Sequence, residues 1–468
     1  MSGVSFAGLA PHPPILIPEI GQGRRLNQIT KTKKAMEEFA EKVVENDPDL
    51  VITISPHGPV FSDAISVLNQ AELSGDFGDF GFDNLEFSYP IELDFVGQLV
   101  KACNTQGITV ARIDKKTAQR HNFGMELDHG VLVPMYYLEQ AGLEAFLLPL
   151  TMGMLSYEDL YKTGKIIQLL AQKLDYNVAV IASGDLSHRL SPTAPAGYNP
   201  KGEEFDQKLV SHLKELEVEE ILNLDESLIK KAGECGLRPI TMMLGAIDGL
   251  AVEPKLHSYQ GPLGVGYAVA SYQVVKGQRD SLLDNIEQMK ENRLKEIKEN
   301  ESQPVKLARK AVREYLEKSK VIEAGDDLPE EFFKPAGVFV SIKKAGNLRG
   351  CIGTIEGEAD TAAHELIKNA LKAALKDPRF EPIDINELEE LVFSVDLLAE
   401  PEEVDSREQL DPQEYGVIVE KGGQKGLLLP RLEGVETVKK QLEIARRKAG
   451  LASLDDATIK RFKVRRYE

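Results

Sequence analysis

The chain is poor in cysteine and histidine and contains no tryptophan, with three cysteines and eight histidines among 468 residues. The cysteines lie far apart and form no Cys-x-x-Cys pair, which argues against a disulfide framework and for a reducing cytoplasm. No apolar run approaches the roughly 18 residues of a membrane-spanning helix, so we expect none. The apolar N-terminal run is rich in proline and follows no basic leader, so we expect no signal peptide.

The chain also lacks a basic charge balance, because its formal net charge is −19. This acidic balance argues against general nucleic-acid binding, which needs a basic face. The composition is 42% hydrophobic, which is ample for a packed core. The length favours two or three domains, since one core rarely grows past about 250 to 300 residues. Assembly into a homo-oligomer is left open by these features.

Hydrophobic patterning divides the chain into two parts joined by a charged segment. Residues 1–275 alternate short β-branched runs with helical stretches, which predicts an α/β domain built from βαβ units. Residues 276–302 are nearly half charged and predict an exposed linker, and residues 303–468 predict a smaller α+β domain. Residues 75–82 alternate glycine with phenylalanine, which predicts either a pinned surface loop or a mobile lid.

The periodicity of apolar residues gives the predicted elements of both domains. In the first domain we predict strands at 4–9, 50–55, 64–68, 108–112, 145–150, 178–183 and 265–274, and helices at 31–46, 92–106, 129–141, 157–174, 203–217 and 238–248. In the second we predict strands at 337–343, 351–355, 391–398 and a pair near 416–429, and helices at 304–318, 360–376 and 435–448.

Three of the scarce histidines stand just after an apolar run that ends in a turn, namely His12, His57 and His188. Ligands bind beyond the carboxyl ends of the strands in open α/β sheets, so we expect these imidazoles to converge on one cleft. A single histidine beside prolines is more often a hydrogen-bonded turn residue. The recurrence of the pattern at three strand ends is what favours a functional site.

Two neutral imidazoles and one carboxylate make the ligand set of non-haem Fe(II) oxygenases, which leaves coordination positions for substrate and dioxygen. We predict that His12 and His57 supply the imidazoles. Glu234 is the predicted carboxylate, because it lies in a glycine-bracketed turn before an apolar helix. His188 is then free to act as a general acid/base, since an unperturbed imidazole titrates near neutral pH.

Four motifs follow one another along the first part of the chain, namely Pro11-His12-Pro13-Pro14, Ser55-Pro56-His57-Gly58, Asp128-His129-Gly130 and Ser183-Gly184-Asp185-Leu186-Ser187-His188. In this order they resemble the LigB-type class III extradiol dioxygenases and the related Memo family, over about residues 1–275. The resemblance implies a central mixed sheet flanked by helices and Fe(II) held by His12, His57 and Glu234. It also implies that His188 is the acid/base, that His129 lines the substrate pocket, and that the substrate is a small aromatic compound of catechol or aminophenol type.

The segment around Cys235 is more similar to the Memo pattern, in which a cysteine stands near the two histidines. Cys235 is therefore the alternative third ligand, because a thiolate also binds Fe, Zn or Cu. A Memo-like chain would bind metal without ring cleavage and work with a radical-SAM protein. A zinc hydrolase, in which the same ligands activate water, is a further alternative.

Residues 303–468 contain three motifs, namely Leu348-Arg349-Gly350-Cys351-Ile352-Gly353-Thr354, Asp377-Pro378-Arg379-Phe380-Glu381-Pro382 and Gly426-Leu427-Leu428-Leu429-Pro430. With these motifs the segment resembles the AMMECR domain, also called AmmeMemoRadiSam system protein A. The resemblance implies a radical-SAM partner but no reaction. The Arg349 guanidinium would stabilise a Cys351 thiolate at a second site, whereas the structural alternative is a small residue buried at a turn.

Two basic segments, 439–448 and 460–466, contrast with the acidic segment 386–414. Complementary charged faces within the domain are the simpler interpretation. A nucleotide- or RNA-binding tail is the alternative, although the segments lack the interleaved aromatic residues that base stacking requires.

Overall fold

The computed structural model describes residues 2–21, 27–344, 346–431, 435 and 437–468, with only the backbone described at residue 289. The chain forms two compact units, Met1–Lys290 (unit 1) and Glu291–Glu468 (unit 2). No helix of the described residues is long and apolar enough to cross a membrane.

The strands of unit 1 are β1 (Gly3–Ala10), β2 (Leu50–Ser55), β3 (Ile65–Leu68), β4 (Glu72–Phe77), β5 (Phe82–Pro90), β6 (Val110–Ile113), β7 (Phe146–Thr151), β8 (Asn177–Ser183), β9 (Leu250–Gln260) and β10 (Tyr267–Gln278). Eight of them form the mixed sheet at the core of unit 1, in the order β6-β3-β7-β2-β8-β1-β10-β9. The inner strands β7, β2, β8 and β1 are mutually parallel and consist of apolar runs, which suits strands covered by helices on both faces.

The helices of unit 1 agree with the predicted positions to within a few residues. They are α1 (Thr30–Glu45), α2 (Leu93–Thr105), α3 (Lys115–His121), α4 (His129–Gln140), α5 (Tyr157–Lys173), α6 (Pro200–Glu215), α7 (Val218–Leu222), α8 (Glu226–Ala232) and α9 (Leu237–Ala246). The short helices α3, α7 and α8 were not predicted, because helices of this length contain too few residues to show a clear 3.6-residue period.

Three strands of unit 1 were missed by the sequence pattern. The β9 strand is an edge strand with an exposed Glu-Pro-Lys segment at 253–255, and proline is tolerated in a sheet mainly at such edges. Strands β4 and β5 form a separate hairpin, so the prediction of a loop over 75–82 is wrong for much of its length. Only a one-turn helix, Gly78–Phe80, and the left-handed Gly81 separate the two strands.

The predicted linker 276–302 contains the boundary between the units, and most of it is the helix α10 (Leu283–Glu299). Ile286 is only 1% exposed and packs in the core of unit 1. The first part of the segment therefore belongs to the fold of unit 1. The prediction that 276–302 is exposed is wrong for this part, whereas the separation of two folded domains within the segment stays a prediction.

Unit 2 contains two four-stranded sheets in the orders β12-β11-β13-β18 and β14-β17-β15-β16, in which all neighbours are antiparallel. The helices are α11 (Gln303–Lys318), α12 (Ala362–Leu375) and α13 (Val438–Lys448), and residue 436 of the predicted helix 435–448 lies outside the described residues. The strands are β11 (Val338–Lys344), β12 (Asn347–Gly353), β13 (Leu391–Leu398), β14 (Glu402–Glu403), β15 (Gly416–Lys421), β16 (Gln424–Leu428), β17 (Thr458–Phe462) and β18 (Val464–Tyr467).

Candidate metal centre

The predicted convergence of histidines lies at the carboxyl edge of the sheet, just beyond β1, β2 and β8. His12, which follows β1, is 3% exposed, and its backbone N–H donates to Asp185 Oδ1 at 3.1 Å. The His12 ring is held by its Nδ1 atom, which lies 2.9 Å from Ser183 Oγ at the end of β8. The other ring nitrogen, Nε2, lies 3.1 Å from Nε2 of His57.

His129, at the start of α4, joins this pair. The ligand atoms of His12, His57 and His129 all lie within 4.8 Å of one another. The Asp128 carboxylate caps α4 by accepting from Gly130 N at 2.8 Å and also accepts from Ser55 Oγ at 2.7 Å. These two bonds fix the first turn of α4 to the end of β2 and so bring His129 to the site.

Gly130 is required by this close approach. A Cβ atom at position 130 would collide with Ser55 Oγ, so a larger residue would push α4 away from β2. Each residue of the Asp-His-Gly motif therefore has a physical role in the structure. Asp128 caps α4, His129 brings an imidazole to the cluster, and Gly130 leaves the space in which α4 approaches β2.

His188 and Cys235 complete the cluster on its other side. Cys235 Sγ lies 3.7 Å from Nε2 of His12 and 3.7 Å from Nε2 of His188. The backbone N–H of Asp185 donates to the same sulfur at 3.4 Å. The thiol thus faces both imidazoles, as the Memo-like alternative requires.

Glu234 faces the helix that follows it. Its Oε2 atom accepts from the backbone N–H of Leu237 at 2.6 Å, at the start of α9. Glu234 is not among the three residues whose ligand atoms cluster most tightly in the described part of the chain. A metal-ligand role for Glu234 therefore stays a prediction.

Burial keeps the imidazoles neutral. It lowers the pKa of His12 well below its ordinary value, and neighbouring imidazoles lower it further. It also lowers the pKa of His57 and of His188, and it lowers that of His129 to about 4. Neutral rings have lone pairs for a metal or a proton, which is what a metal centre with an acid/base needs.

Burial raises the pKa of the acidic groups near the cluster. The pKa of Asp185 rises to about 7, that of Glu234 rises, and that of the Cys235 thiol rises well above its ordinary value. These shifts favour the neutral forms of the three groups in the site without metal. A cation would lower all three pKa values, because it favours the anionic forms.

Ser55, Ser183 and Asp185 belong to the sequence motifs, but no role was predicted for them. Phe80 was predicted to lie in a loop without a partner, and its ring meets the His129 ring edge-to-face at a centroid distance of 5.3 Å while remaining 41% exposed. The available signal was the repeated Ser-containing turn after β2 and β8. Nothing in the sequence brings the 78–80 turn to His129.

The predicted second site in unit 2 has a different geometry. The Arg349 guanidinium pairs with the Glu387 carboxylate at 2.6 Å. The Cys351 thiol accepts from Ser341 Oγ at 3.3 Å, and the Cys351 carbonyl oxygen accepts from Arg379 Nη2 at 3.1 Å. A reactive Cys351 stabilised by Arg349 stays a prediction.

The basic tail of unit 2 is paired with carboxylates of the same unit. Arg461 pairs with Glu402 at 2.7 Å and Arg466 with Asp396 at 2.7 Å, both acids coming from the acidic segment 386–414. These pairs agree with the interpretation as complementary charged faces.

Comparisons with known proteins match both units. A family model described as "Catalytic LigB subunit of aromatic ring-opening dioxygenase" matches residues 7–270, and one described as AMMECR1 matches residues 305–468. Protein CA_C1420 of Clostridium acetobutylicum is 39% identical over 98% of both chains. A Thermotoga maritima protein is 48% identical over 35% of this chain and 96% of its own. The crystal structure of PH0010 from Pyrococcus horikoshii covers 35% of this chain and 88% of its own, with 32% identity and a TM-score of 0.32. The chain therefore belongs to the LigB family of aromatic ring-opening dioxygenase subunits in its first part and carries an AMMECR1 domain in its second.

Proposed function

We propose that unit 1 is an Fe(II)-dependent oxygenase of the extradiol type that acts on a small aromatic substrate with adjacent hydroxyl or amino groups. The observation that carries this proposal is the cluster of His12, His57 and His129, whose ligand atoms lie within 4.8 Å of one another. Imidazole suits Fe and Zn alike, so Zn is the alternative metal.

The side chains fit a divalent metal. His12 and His57 would hold it, and the third ligand would come from His129, Cys235 or Glu234. A bound Fe(II) ion would supply Lewis acidity and redox chemistry with dioxygen. The chain would supply the proton transfer: neutral His188 would take the proton of a substrate hydroxyl at Nε2 and later return it.

Phe80 supports an aromatic substrate. Its ring is 41% exposed although it touches His129, so an apolar surface borders the cluster. An aromatic ring prefers such a surface in edge-to-face or offset geometry, worth about 0.5 to 1.5 kcal/mol beyond area burial. The hairpin that carries Phe80 is anchored by Phe77, which is fully buried.

The test is anaerobic reconstitution of the full chain with Fe(II) or with Zn(II), followed by oxygen uptake on a panel of catechols and 2-aminophenols. We expect uptake with Fe(II) only, and Phe80→Ala should raise KM for the accepted substrate about 3- to 10-fold. Phe146→Ala is the matched control, because Phe146 is 42% exposed and lies at the opposite end of a core strand. Absence of uptake from an iron-loaded protein on the whole panel would contradict the proposal.

The position of Cys235 favours a second candidate function. Its sulfur lies 3.7 Å from Nε2 of both His12 and His188, which supports Cys235 as a ligand in a Memo-like metal-binding protein. A radical-SAM partner for such a protein is what the family resemblance implies. In that case Cys235→Ala should weaken metal binding at least about 10-fold while Glu234→Gln leaves it unchanged. The oxygenase with Glu234 as ligand predicts the reverse order.

A further inference from the structure

Ser183 is the last residue of β8, and its hydroxyl touches two groups of different kinds. It lies 2.9 Å from Nδ1 of the His12 ring and within hydrogen-bond distance of the Gly130 carbonyl oxygen in the first turn of α4. A hydroxyl has one proton to donate, whereas a carbonyl oxygen can only accept. The Ser183 proton therefore belongs to the bond with Gly130.

The other bond then has a fixed direction. Ser183 Oγ must accept from His12 Nδ1, so Nδ1 carries the ring proton of the neutral imidazole. His12 Nε2 is left with its lone pair, and this is the nitrogen that lies 3.1 Å from His57 Nε2 and 3.7 Å from Cys235 Sγ.

We propose that Ser183 is the positioning residue of the metal centre: by accepting from Nδ1 it holds His12 in the Nδ1–H tautomer with its Nε2 lone pair facing the cluster. The assignment of the tautomer does not depend on a bound metal. Only its consequence for metal affinity rests on the proposed function. A histidine ligand commonly has its second nitrogen fixed in this way, and loss of such a partner costs about 10- to 100-fold in metal affinity.

The tautomer is read directly from the metal-free full-length protein labelled with ¹⁵N-histidine, by long-range ¹H–¹⁵N correlation at neutral pH. The His12 signals are identified by their loss in His12→Gln. We expect a protonated Nδ1 and an unprotonated Nε2 in the natural protein and in Ser183→Thr, and a substantial Nε2–H population in Ser183→Ala.

Ser271→Ala is the matched control for the spectra. Ser271 lies in β10 and is 5% exposed, and its hydroxyl lies 2.8 Å from Nε2 of His257, a histidine outside the cluster. We expect this variant to keep the His12 tautomer. A change of the His12 tautomer in Ser271→Ala equal to that in Ser183→Ala would overturn the specific role of Ser183.

Competition titration with Zn(II) and with anaerobic Fe(II) then measures the consequence, and we expect Ser183→Ala to bind about 10- to 100-fold more weakly and Ser183→Thr to recover most of the loss. An Nε2–H signal from His12 in the natural protein overturns the proposal, whether or not the variants fold. An unchanged metal affinity in a variant with the altered tautomer overturns its link to the metal. A natural protein with the expected tautomer that binds no divalent metal contradicts the proposed function and leaves the Ser183 assignment intact.

Discussion

The two units use their polar side chains in contrasting ways around their signature motifs. In unit 2, Arg349 pairs with Glu387, Arg379 with Asp377 and Arg466 with Asp396, each at 2.6 to 2.7 Å. In unit 1 the histidines face one another instead, with two Nε2 atoms 3.1 Å apart.

This contrast separates architecture from chemistry. A guanidinium that is paired with a carboxylate uses its N–H donors in bonds within the fold, and the carboxylate neutralises its charge. Neutral imidazoles whose nitrogens converge bring their lone pairs to one place. The first arrangement stabilises a domain, whereas the second is suited to bind a cation or move a proton.

Replacement of His57 by Ala should have the largest effect, because it removes a ring from the convergent group. We expect metal affinity to fall by more than about 100-fold, since loss of an outer partner alone costs about 10- to 100-fold. Metal content by mass spectrometry and competition titration measure this, with His364→Gln, a half-exposed histidine of unit 2, as control. Full metal content in His57→Ala would remove His57 from the ligand set.

Replacement of His188 by Gln should separate catalysis from binding. If His188 moves protons, turnover should fall about 10²- to 10⁴-fold while metal content is retained. Oxygen uptake on the substrate identified by the panel measures turnover, and the same samples give the metal content. Loss of the metal from His188→Gln would instead make His188 a ligand.

Replacement of Asp377 by Asn tests the idea that the charges of unit 2 serve the fold. The Asp377 carboxylate is 4% exposed and accepts from the Cys351 backbone N–H and from the Arg379 guanidinium, so we expect a loss of about 1 to 3 kcal/mol in the free energy of unfolding. Its bonds hold the pKa of Asp377 far below the ordinary value of 3.8, so this stability should be present at neutral pH and be lost as the pH falls below about 4.

Urea unfolding of the full chain, monitored by probes located in unit 2, measures the change in the free energy of unfolding that Asp377→Asn causes. Glu402→Gln is the control, because the Glu402–Arg461 pair is exposed and should contribute less than about 1 kcal/mol. An equal loss of unfolding free energy in the two variants would contradict the idea that the buried charge pairs of unit 2 stabilise its fold.

Replacement of His129 by Gln should change the pH dependence of unit 1. The folded-state pKa of about 4 lies below the unfolded value of 6.5, so the unfolded chain binds the extra proton and stability is lost as the pH falls from 6.5 towards 4. The variant lacks this loss. Between pH 7 and 4.5 the free energy of unfolding of the metal-free natural protein should therefore fall by about 1 to 2 kcal/mol more than that of the variant. This value is reduced to allow for the partial exposure of the ring. Parallel pH profiles in denaturant unfolding would show that His129 titrates normally.

The strand and helix pattern could be predicted because buried parallel strands appear as continuous apolar runs and their helices as 3.6-residue periods. The β4–β5 hairpin could not, because Gly75 occupies a buried position of β4 and leaves the apolar face of its alternating pattern without a side chain there. The site was predictable in outline for a topological reason: residues that follow parallel strands meet at one edge. That argument predicts the convergence of His12, His57 and His188. It does not predict the positions of His129, which starts a helix, or of Phe80, which lies in a connecting turn.

The sequence by itself determined the two families and the strands that precede His12 and His57. Only the tertiary structure decided which groups face the cluster. His129 enters it because Ser55 and Gly130 let α4 approach β2, and Ser183 fixes His12 across 171 residues of sequence. Likewise, the turn before α9 directs the Glu234 carboxylate to a backbone N–H and the Cys235 thiol to two imidazoles. The direction of adjacent side chains in a turn depends on what packs against it, and sequence spacing contains no such information.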